Sequence, residues 1–182
     1  MEIKYRRNID QLLHHHNVFG AVAEIGVAEG LNSRDMMVHW DVPKLYLVDM
    51  WQHRPNISGD GNSAQEWHDS NLNNVKELLK DYSDRTVFLQ GYSVAMADHV
   101  PDGSLGLVYI DADHTYDGCM RDIIAWFPKL VPNGIMAFHD YLNNDYGVNA
   151  AVKQFASANN LEVHEIPEDF ADNAGAWFQN KK

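Results

Sequence analysis

Short apolar runs alternate along the chain with longer segments that have helical periodicity. Runs of this kind are typical of buried strands, and their alternation with helices predicts a largely parallel sheet covered on both faces. Ser63 and Glu66 have the spacing of a capping box, which predicts a helix beginning at Ser63. Pro128 is expected to kink the end of the helix that contains it. The predicted strands are 21–25, 45–49, 87–89, 105–110 and 135–138, and the predicted helices are 9–16, 33–40, 63–81, 116–130 and 147–158.

The end of the chain has a different pattern. Two further apolar runs, 161–166 and 174–179, predict an antiparallel hairpin with its turn around residues 168–173. The expected fold is therefore α/β, a Rossmann-like three-layer sandwich with a mostly parallel seven-stranded sheet. Residues 50–62 form a polar connection that is long for a compact domain, which makes it a candidate lid. No repeat or linker interrupts the pattern, so residues 1–182 are expected to form a single domain.

Composition excludes several classes of function. The net charge is −12 and only 14 residues are Lys or Arg, which argues against nucleic-acid binding because such proteins need clustered basic residues. No apolar run approaches the ~18 residues that a membrane helix requires, so no membrane association is expected. Cys119 is the only cysteine and there is no signal-peptide pattern, and both observations favour the cytoplasm.

The first candidate site is the turn after the first strand, where residues 24–30 read Glu-Ile-Gly-Val-Ala-Glu-Gly. Glycines such as Gly26 and Gly30 let the backbone approach a ligand, and the next helix offers its N-terminal N–H groups to a carboxylate or phosphate. This pattern has a second explanation, because turns also use glycine for steric reasons alone. Asp49 ends the second strand about 20 residues beyond the glycines, where an acid holds a ribose through its hydroxyls. Its alternative role is to cap a surface loop.

The glycine spacing helps to discriminate between two nucleotide cofactors. A dinucleotide site requires G-x-G-x-x-G, whereas this turn resembles the E/D-x-G-x-G-x-G pattern of class I S-adenosylmethionine (SAM)-dependent methyltransferases, with Ala28 at the middle glycine. Glu24 would repel a pyrophosphate but suits the cationic methionine end of SAM. The turn therefore favours SAM over NAD. At the start of the next helix, Asn32 is placed to contact the methionine carboxylate, and Ser33 is predicted to be the N-cap.

A second group of polar residues follows strands four and five. Residues 109–116 read Tyr-Ile-Asp-Ala-Asp-His-Thr-Tyr and residues 137–141 read Ala-Phe-His-Asp-Tyr. Ligands bind at the carboxyl edge of open α/β sheets, so Asp111, His139 and Asp140 are expected to converge there if the two strands are neighbours. Two carboxylates and an imidazole can hold a divalent cation with open positions for substrate oxygens. The alternative is that Asp111 and His114 only stabilise their loop.

These two motifs, together with Leu130-Val-Pro-Asn-Gly134 between them, resemble a particular group of enzymes. The pattern is similar to the methyltransferases that include cephalosporin-hydroxylase-like and macrolide-sugar O-methyltransferase relatives and, more distantly, to metal-dependent catechol and caffeoyl-CoA O-methyltransferases. The resemblance covers about residues 21–155.

The resemblance implies roles for individual residues. It implies Asp111, His139 and Asp140 as metal ligands and His114 as the general base, with Asp111 counted among both the catalytic and the cofactor-binding residues. Tyr92 and Ser93 follow strand three, where such enzymes contact adenine, although these enzymes commonly have an acid at the position of Tyr92. Expected cofactor contacts are Glu24, Gly26, Gly30, Asn32, Asp49, Tyr92, Ser93 and Asp111.

One departure from the pattern concerns the metal. The metal-dependent enzymes usually have a carboxylate at the position of His139. Mg²⁺ prefers oxygen ligands, so His139 either favours a softer ion such as Mn²⁺ or Fe²⁺ or is not a ligand. Mg²⁺ and Mn²⁺ are therefore the two candidate metal ions for this site.

The expected activity is methyl transfer from SAM to a hydroxyl of a small-molecule acceptor, and the resemblance allows a homodimer. Trp51 and His53 in the lid, with Tyr116 and Tyr141, are expected to line the acceptor pocket. Two alternatives stay open, a SAM-binding module without catalysis and an NAD-dependent oxidoreductase on a Rossmann fold.

Overall fold

The computed structural model describes residues 9–40, 42–55, 60–166 and 175–181. The helices are α1 (Ile9–His15), α2 (Leu31–His39), α3 (Gln65–Leu78), α4 (Ser93–Met96), α5 (Tyr116–Trp126) and α6 (Val148–Ala158). The strands are β1 (Ala21–Ile25), β2 (Leu45–Asp49), β3 (Thr86–Gln90), β4 (Leu105–Ile110), β5 (Leu130–Phe138), β6 (His164–Ile166) and β7 (Gly175–Gln179). They form a seven-stranded sheet in the order β3-β2-β1-β4-β5-β7-β6.

The first five strands are parallel, and β7 pairs antiparallel with both β5 and β6. The predicted Rossmann-like architecture and its C-terminal hairpin are therefore confirmed. In the register, Ile25 of β1 lies beside Ile110 of β4, and Ile110 lies beside Phe138 of β5. The residues that follow these three strands consequently meet at one edge of the sheet.

Strand β4 is buried along its whole length, which explains its continuous apolar sequence. Val108 and Ile110 face a core covered by α5 and α6, whereas Leu107 and Tyr109 face a core covered by α1, α2 and α3. The sheet thus separates two apolar layers, and its polar chemistry is confined to the edge where the strands end.

Several predicted boundaries are wrong in an informative way. Helix α3 begins at Gln65 with Ala64 as its N-cap and no side-chain capping bond, so Ser63 does not form the predicted capping box. Helix α5 ends at Trp126, and Pro128 lies in a separate 3₁₀ turn rather than in a kinked helix. Strand β5 begins at Leu130, five residues earlier than predicted, and α4 was not predicted at all. The predicted hairpin turn at 168–173 lies outside the described residues.

Two further features concern predictions made from composition. Within the described ranges, none of the helices has both the length and the apolar character needed to cross a bilayer. Cys119 lies on the buried side of α5, where burial raises the pKa of its thiol to about 12.

Candidate active site

Residues 26–30, called the glycine loop below, connect β1 to α2. Gly26 has a φ of 88°, and a Cβ on it would lie 1.9 Å from the carbonyl oxygen of Asp111. Gly30 has a φ of 80° and is the N-cap of α2, and a Cβ on it would lie 2.8 Å from a Val75 methyl. Any side chain at Gly26 would therefore push the loop away from the end of β4, which explains the glycine sterically.

Glu24, at the end of β1, has a buried carboxylate that reaches the first turn of α2. Asn32 Nδ2 donates to Glu24 Oε1 at 2.8 Å, and the hydroxyl of Ser33 donates to Oε2. The prediction that Ser33 is the N-cap is wrong, because that position belongs to Gly30. Glu24 thus fixes the start of α2 against the sheet, and it brings Asn32 to the loop where the methionine end of a cofactor was predicted.

Asp49, at the end of β2, holds the glycine loop through its carboxylate. Oδ2 accepts hydrogen bonds from the backbone N–H groups of Val27 and Ala28, each at 2.9 Å, and Oδ1 accepts one from Trp51 at 2.9 Å. A carboxylate offers about four acceptor positions, so three are used within the protein. The predicted contact with a ribose hydroxyl stays compatible with the position that is left.

The candidate lid, residues 50–62, is described except for residues 56–59. Trp51 does not line an acceptor pocket as predicted, because its side chain is 1% exposed and its indole N–H donates to the Ala28 carbonyl at 3.0 Å. Gln65 of α3 holds this segment, accepting from the backbone N–H of His53 and donating to the Trp51 carbonyl. Tyr141 is buried as well, so neither it nor Trp51 presents an exposed ring.

The predicted adenine contacts differ from each other in their surroundings. Tyr92 is 63% exposed, which leaves its ring accessible after β3. The hydroxyl of Ser93 instead accepts a hydrogen bond from the Trp126 indole at 2.8 Å and bonds the carboxyl of Asp122. The Ser93 side chain therefore ties α4 to α5. Burial raises the pKa of Asp122 to about 6, opposed by the Ser93 bond and supported by the nearby charge of Asp113.

Four polar residues converge where β4 and β5 end, as predicted. His139 Nδ1 lies 2.9 Å from Asp140 Oδ2 and 3.3 Å from Asp111 Oδ1. His114 Nε2 lies 3.2 Å from Asp140 Oδ2 and 3.4 Å from Asp111 Oδ1. Asp140 has a φ of 55°, a left-handed conformation that directs its buried side chain back towards this group. We call these four residues the acid–histidine cluster.

The charges of the acid–histidine cluster change each other's pKa values. Burial alone would raise the pKa of Asp111, but hydrogen bonds with His114 and His139 outweigh it and hold that pKa below its usual range. Burial would likewise raise the pKa of Asp140, and the His139 bond and charge lower it. Burial alone would lower the pKa of His139, but its bonds to the two carboxylates raise it to about 10. The hydrogen bond to Asp111 raises the pKa of His114 against the effect of burial.

The donor set of the cluster fits a divalent cation. Asp111, His139 and Asp140 each offer one ligand atom, and these atoms lie within 4.8 Å of one another. Two carboxylate oxygens and one imidazole nitrogen suit Mn²⁺ better than Mg²⁺, because Mg²⁺ prefers oxygen alone. With no cation bound, the same geometry makes His139 an imidazolium paired with two carboxylates.

The comparisons with known proteins agree with this arrangement. A family described as a methyltransferase domain matches residues 23–141. The chain belongs to this family. The match includes the glycine loop, Asp49 and the whole acid–histidine cluster, and membership supports SAM as the methyl donor over NAD.

Solved structures with the same fold include several methyltransferases. The O-methyltransferase NovP has a TM-score of 0.69 and 21% identity, covering 97% of this chain and 78% of that chain. The calicheamicin methyltransferase CalS11 has a TM-score of 0.71 and 16% identity, covering 95% of this chain and 77% of that chain. An O-methyltransferase from Bacillus cereus, solved with SAH, has a TM-score of 0.71 and 9% identity, covering 96% of this chain and 80% of that chain. At these identities the likeness shows the fold.

A curated relative matches over a shorter stretch. The uncharacterized protein y4gI of Sinorhizobium fredii is 34% identical over 50 residues, which are 28% of this chain. The matched stretch corresponds to 6% of the length of that protein, so it adds no functional assignment.

Sequence reasoning missed one residue that shapes this methyltransferase site. The Tyr146 ring stacks on the His114 imidazole with centroids 4.5 Å apart and planes 16° apart. The residue after Tyr146, Gly147, donates its backbone N–H to the His114 carbonyl at 2.8 Å. Only the tyrosine-glycine pair after the strand-five motif could have signalled a loop that folds back over His114.

Proposed function

We propose that this methyltransferase transfers a methyl group from SAM to a hydroxyl group of a small-molecule acceptor. The observation that carries the proposal is the position of the acid–histidine cluster directly beside the glycine loop. Gly26 packs against the Asp111 carbonyl, and the Asp111 N–H donates to the Ile25 carbonyl at 2.8 Å. A cofactor on the loop would therefore be adjacent to a base and two carboxylates.

SAM supplies a methyl group that is electrophilic because it is bonded to a sulfonium. We assign its ribose to Asp49, its methionine end to Glu24 and Asn32, and its adenine to Tyr92 and the backbone at Ser93. Gly26, Gly30 and Asp111 complete the set of residues that we assign to the cofactor. The many internal bonds of Glu24 and Asp49 support this assignment, because they hold the loop in one shape before a ligand arrives.

Asp111, His139 and Asp140 are the residues that would hold a divalent cation, with Mn²⁺ favoured and Mg²⁺ the alternative. A bound cation would polarise the acceptor hydroxyl and, by offsetting the two carboxylates, lower the pKa of the neighbouring imidazole.

His114 is the residue we assign as general base. Its ring is 32% exposed, stacked on Tyr146 and held near two carboxylates that stabilise the imidazolium once it has accepted a proton. In the proposed reaction, the acceptor oxygen forms a bond to the methyl carbon while the carbon–sulfur bond breaks, and the electron pair of that bond stays on sulfur. The hydroxyl proton passes to His114.

The first experiment is calorimetric titration of the protein with S-adenosylhomocysteine, with and without Mn²⁺ or Mg²⁺, and with NAD as a comparison. Micromolar binding of S-adenosylhomocysteine with no response to NAD is the expected result. Absence of that binding under all conditions would remove the proposal.

A pair of variants then tests the role of Asp111 in transfer. Asp111→Asn should abolish transfer to hydroxyl-bearing acceptors and weaken Mn²⁺ binding, whereas Asp117→Asn, in the exposed first turn of α5, should behave as the unmodified protein. If the unmodified protein binds the cofactor but transfers a methyl group to no hydroxyl compound, the result would instead favour a non-catalytic SAM-binding module.

A further inference from the structure

Helix α3 packs along the glycine loop. A Val75 methyl contacts Gly30, and Asn74 Nδ2 donates to the Glu29 carbonyl at 2.9 Å. At the other end of the helix, Gln65 holds the backbone of Trp51 and His53. One side of α3 therefore faces the loop and the lid together.

Two polar residues lie on that side of the helix. At about 100° per residue, Asn71 and His68 point within about 40° of the direction of Val75. With a rise of about 1.5 Å per residue, they lie about 6 Å and about 10 Å from Val75 towards the start of α3. Because Gln65 at the start of α3 bonds the lid while Asn74 and Val75 contact the glycine loop, Asn71 and His68 lie on the stretch of helix between the lid and the loop.

Both side chains are buried and incompletely bonded. His68 and Asn71 are each 6% exposed, and neither His68 Nε2 nor Asn71 Nδ2 has a hydrogen-bond partner in the part of the chain that the structure describes. Burying a donor without a partner destabilises a fold, so two such groups one turn apart are poor choices for packing alone. They are the expected arrangement where a ligand supplies the missing partner.

The chemistry of these atoms limits the ligand. The Asn71 amide nitrogen can only donate, and His68 Nε2 can donate in one tautomer, so the ligand atom is a hydrogen-bond acceptor. Helix α2 has nine residues and no side-chain cap at Gly30, so its first turn also attracts negative charge. An oxygen-bearing anion satisfies both requirements.

We propose that His68 and Asn71, together with the first turn of α2, form a subsite for a carboxylate. The subsite rests on the proposed function in one respect, because it adjoins the loop assigned to SAM. Two sources can supply the carboxylate, the methionine part of the cofactor or the acceptor. Asn71 and His68 are binding residues in either case.

The test uses variants of Asn71. Asn71→Leu keeps the size and removes the donor, and Asn71→Asp keeps the shape and adds a repelling charge. Asn73→Leu is the matched control, because Asn73 is exposed on the opposite side of α3. Asn71→Leu should unfold at the same or a higher temperature than the unmodified protein, since it removes a buried NH₂ group for which the described residues supply no partner.

Three probes distinguish the sources: S-adenosylhomocysteine, 5′-methylthioadenosine, which lacks the amino-acid part, and benzoate as a free carboxylate. If the cofactor supplies the carboxylate, Asn71→Leu should weaken S-adenosylhomocysteine binding by roughly tenfold or more and leave the affinity for methylthioadenosine unchanged. Asn73→Leu should change neither affinity. An acceptor source predicts unchanged S-adenosylhomocysteine binding and a benzoate-induced shift of the His68 ring ¹⁵N signals that both Asn71 variants lose.

The subsite is overturned if both Asn71 variants bind S-adenosylhomocysteine and benzoate as the unmodified protein does, or if benzoate shifts no His68 signal and S-adenosylhomocysteine affinity is unaffected. Failure of the proposed function has a different signature. In that case the unmodified protein binds neither S-adenosylhomocysteine nor methylthioadenosine, and the benzoate arm alone decides on the subsite.

Discussion

The carboxyl edge of the sheet has two halves that treat their acidic residues in opposite ways. After β1 and β2, the carboxylates of Glu24 and Asp49 are bonded by neutral donors from backbone, amide and hydroxyl groups. After β4 and β5, Asp111 and Asp140 are bonded by two imidazoles instead. The hydrogen bonds of the first half fix its shape and involve no group that readily changes its charge. In the second half, a bound ligand can change the protonation of the imidazoles and the charge around the carboxylates.

This contrast connects local bonding with role. Neutral donors cannot leave or change charge, so the glycine loop is suited to holding a cofactor in one position. Imidazoles can bind and release protons, and the pKa of each imidazole depends on the charges beside it, so the acid–histidine cluster is suited to chemistry. Of the four predictions that follow, three test one half or the other, and one tests the Asp122 contact between α4 and α5.

The largest expected effect is on the reactive half. His114→Ala should lower turnover by roughly 10²–10⁴-fold with S-adenosylhomocysteine affinity nearly unchanged, because a general base contributes about that much to the rate. Steady-state kinetics and calorimetry on the same preparation measure the two quantities. His99→Ala, at an exposed histidine after α4, is the control. Full turnover in His114→Ala would mean that another group takes the proton.

Asp122, which is hydrogen-bonded to Ser93 and so helps to tie α5 to α4, gives the next largest effect, on stability. Its pKa is raised to about 6 in the folded protein and is ordinary in the unfolded chain, so the protonated form favours folding. The associated stability is present in acid and lost as pH rises through about 6, and it amounts to about 3 kcal/mol at most.

Asp122→Asn should remove this pH dependence of the unfolding free energy between about pH 4 and 7. Urea unfolding at several pH values measures it, with Asp117→Asn on the same helix as the exposed control. An unchanged slope in Asp122→Asn would show that other groups cause the dependence.

Asp49→Asn tests the fixed half. An amide offers one oxygen where the carboxylate uses two, so it cannot accept from Val27, Ala28 and Trp51 together, and its NH₂ would oppose an N–H group. We expect S-adenosylhomocysteine affinity to fall about 10–100-fold, equivalent to about 1.5–3 kcal/mol, with a lower melting temperature. A normal melting temperature would show that the three loop hydrogen bonds contribute little to stability, and that any affinity loss comes from the ribose contact.

The smallest expected effect tests whether His139 is a metal ligand. Since its pKa is about 10 without a metal, it must lose a proton to become a ligand, whereas Asp111 and Asp140 are already ionised at neutral pH. Mn²⁺ affinity should therefore rise about tenfold, or about 1.4 kcal/mol, per pH unit between about pH 7 and 9. His139→Asp should flatten this slope while still binding Mn²⁺. A flat profile in the unmodified protein would mean that His139 is not a ligand.

The sheet and the acid–histidine cluster could be predicted because both follow from patterns along the chain. Apolar runs such as Leu105–Ile110 are long enough to define a buried strand, and parallel strands bring their carboxyl ends to one edge. Asp111, His139 and Asp140 therefore met as expected once β4 and β5 proved to be neighbours.

Other features depend on partners far away in sequence, and no local pattern reveals them. Trp51 reads as a lid aromatic, yet its indole bonds Ala28 and becomes part of the core. Ser93 reads as a cofactor contact, yet its hydroxyl bonds Trp126. Ser63 fits a capping box, but Gln65 makes the contacts that order this segment. For Trp51 and Ser93, a tertiary hydrogen bond determined the side chain's position more strongly than the local motif.

The buried thiol of Cys119, in α5, has a practical consequence for testing whether the candidate lid moves. Because the pKa of Cys119 is about 12, almost none of it is thiolate at neutral pH, and alkylating reagents should leave it unmodified. A cysteine introduced at Asn62, which is exposed, would then be the single reactive position. One fluorescent label could then test whether the candidate lid moves on cofactor addition, without any change to the native core.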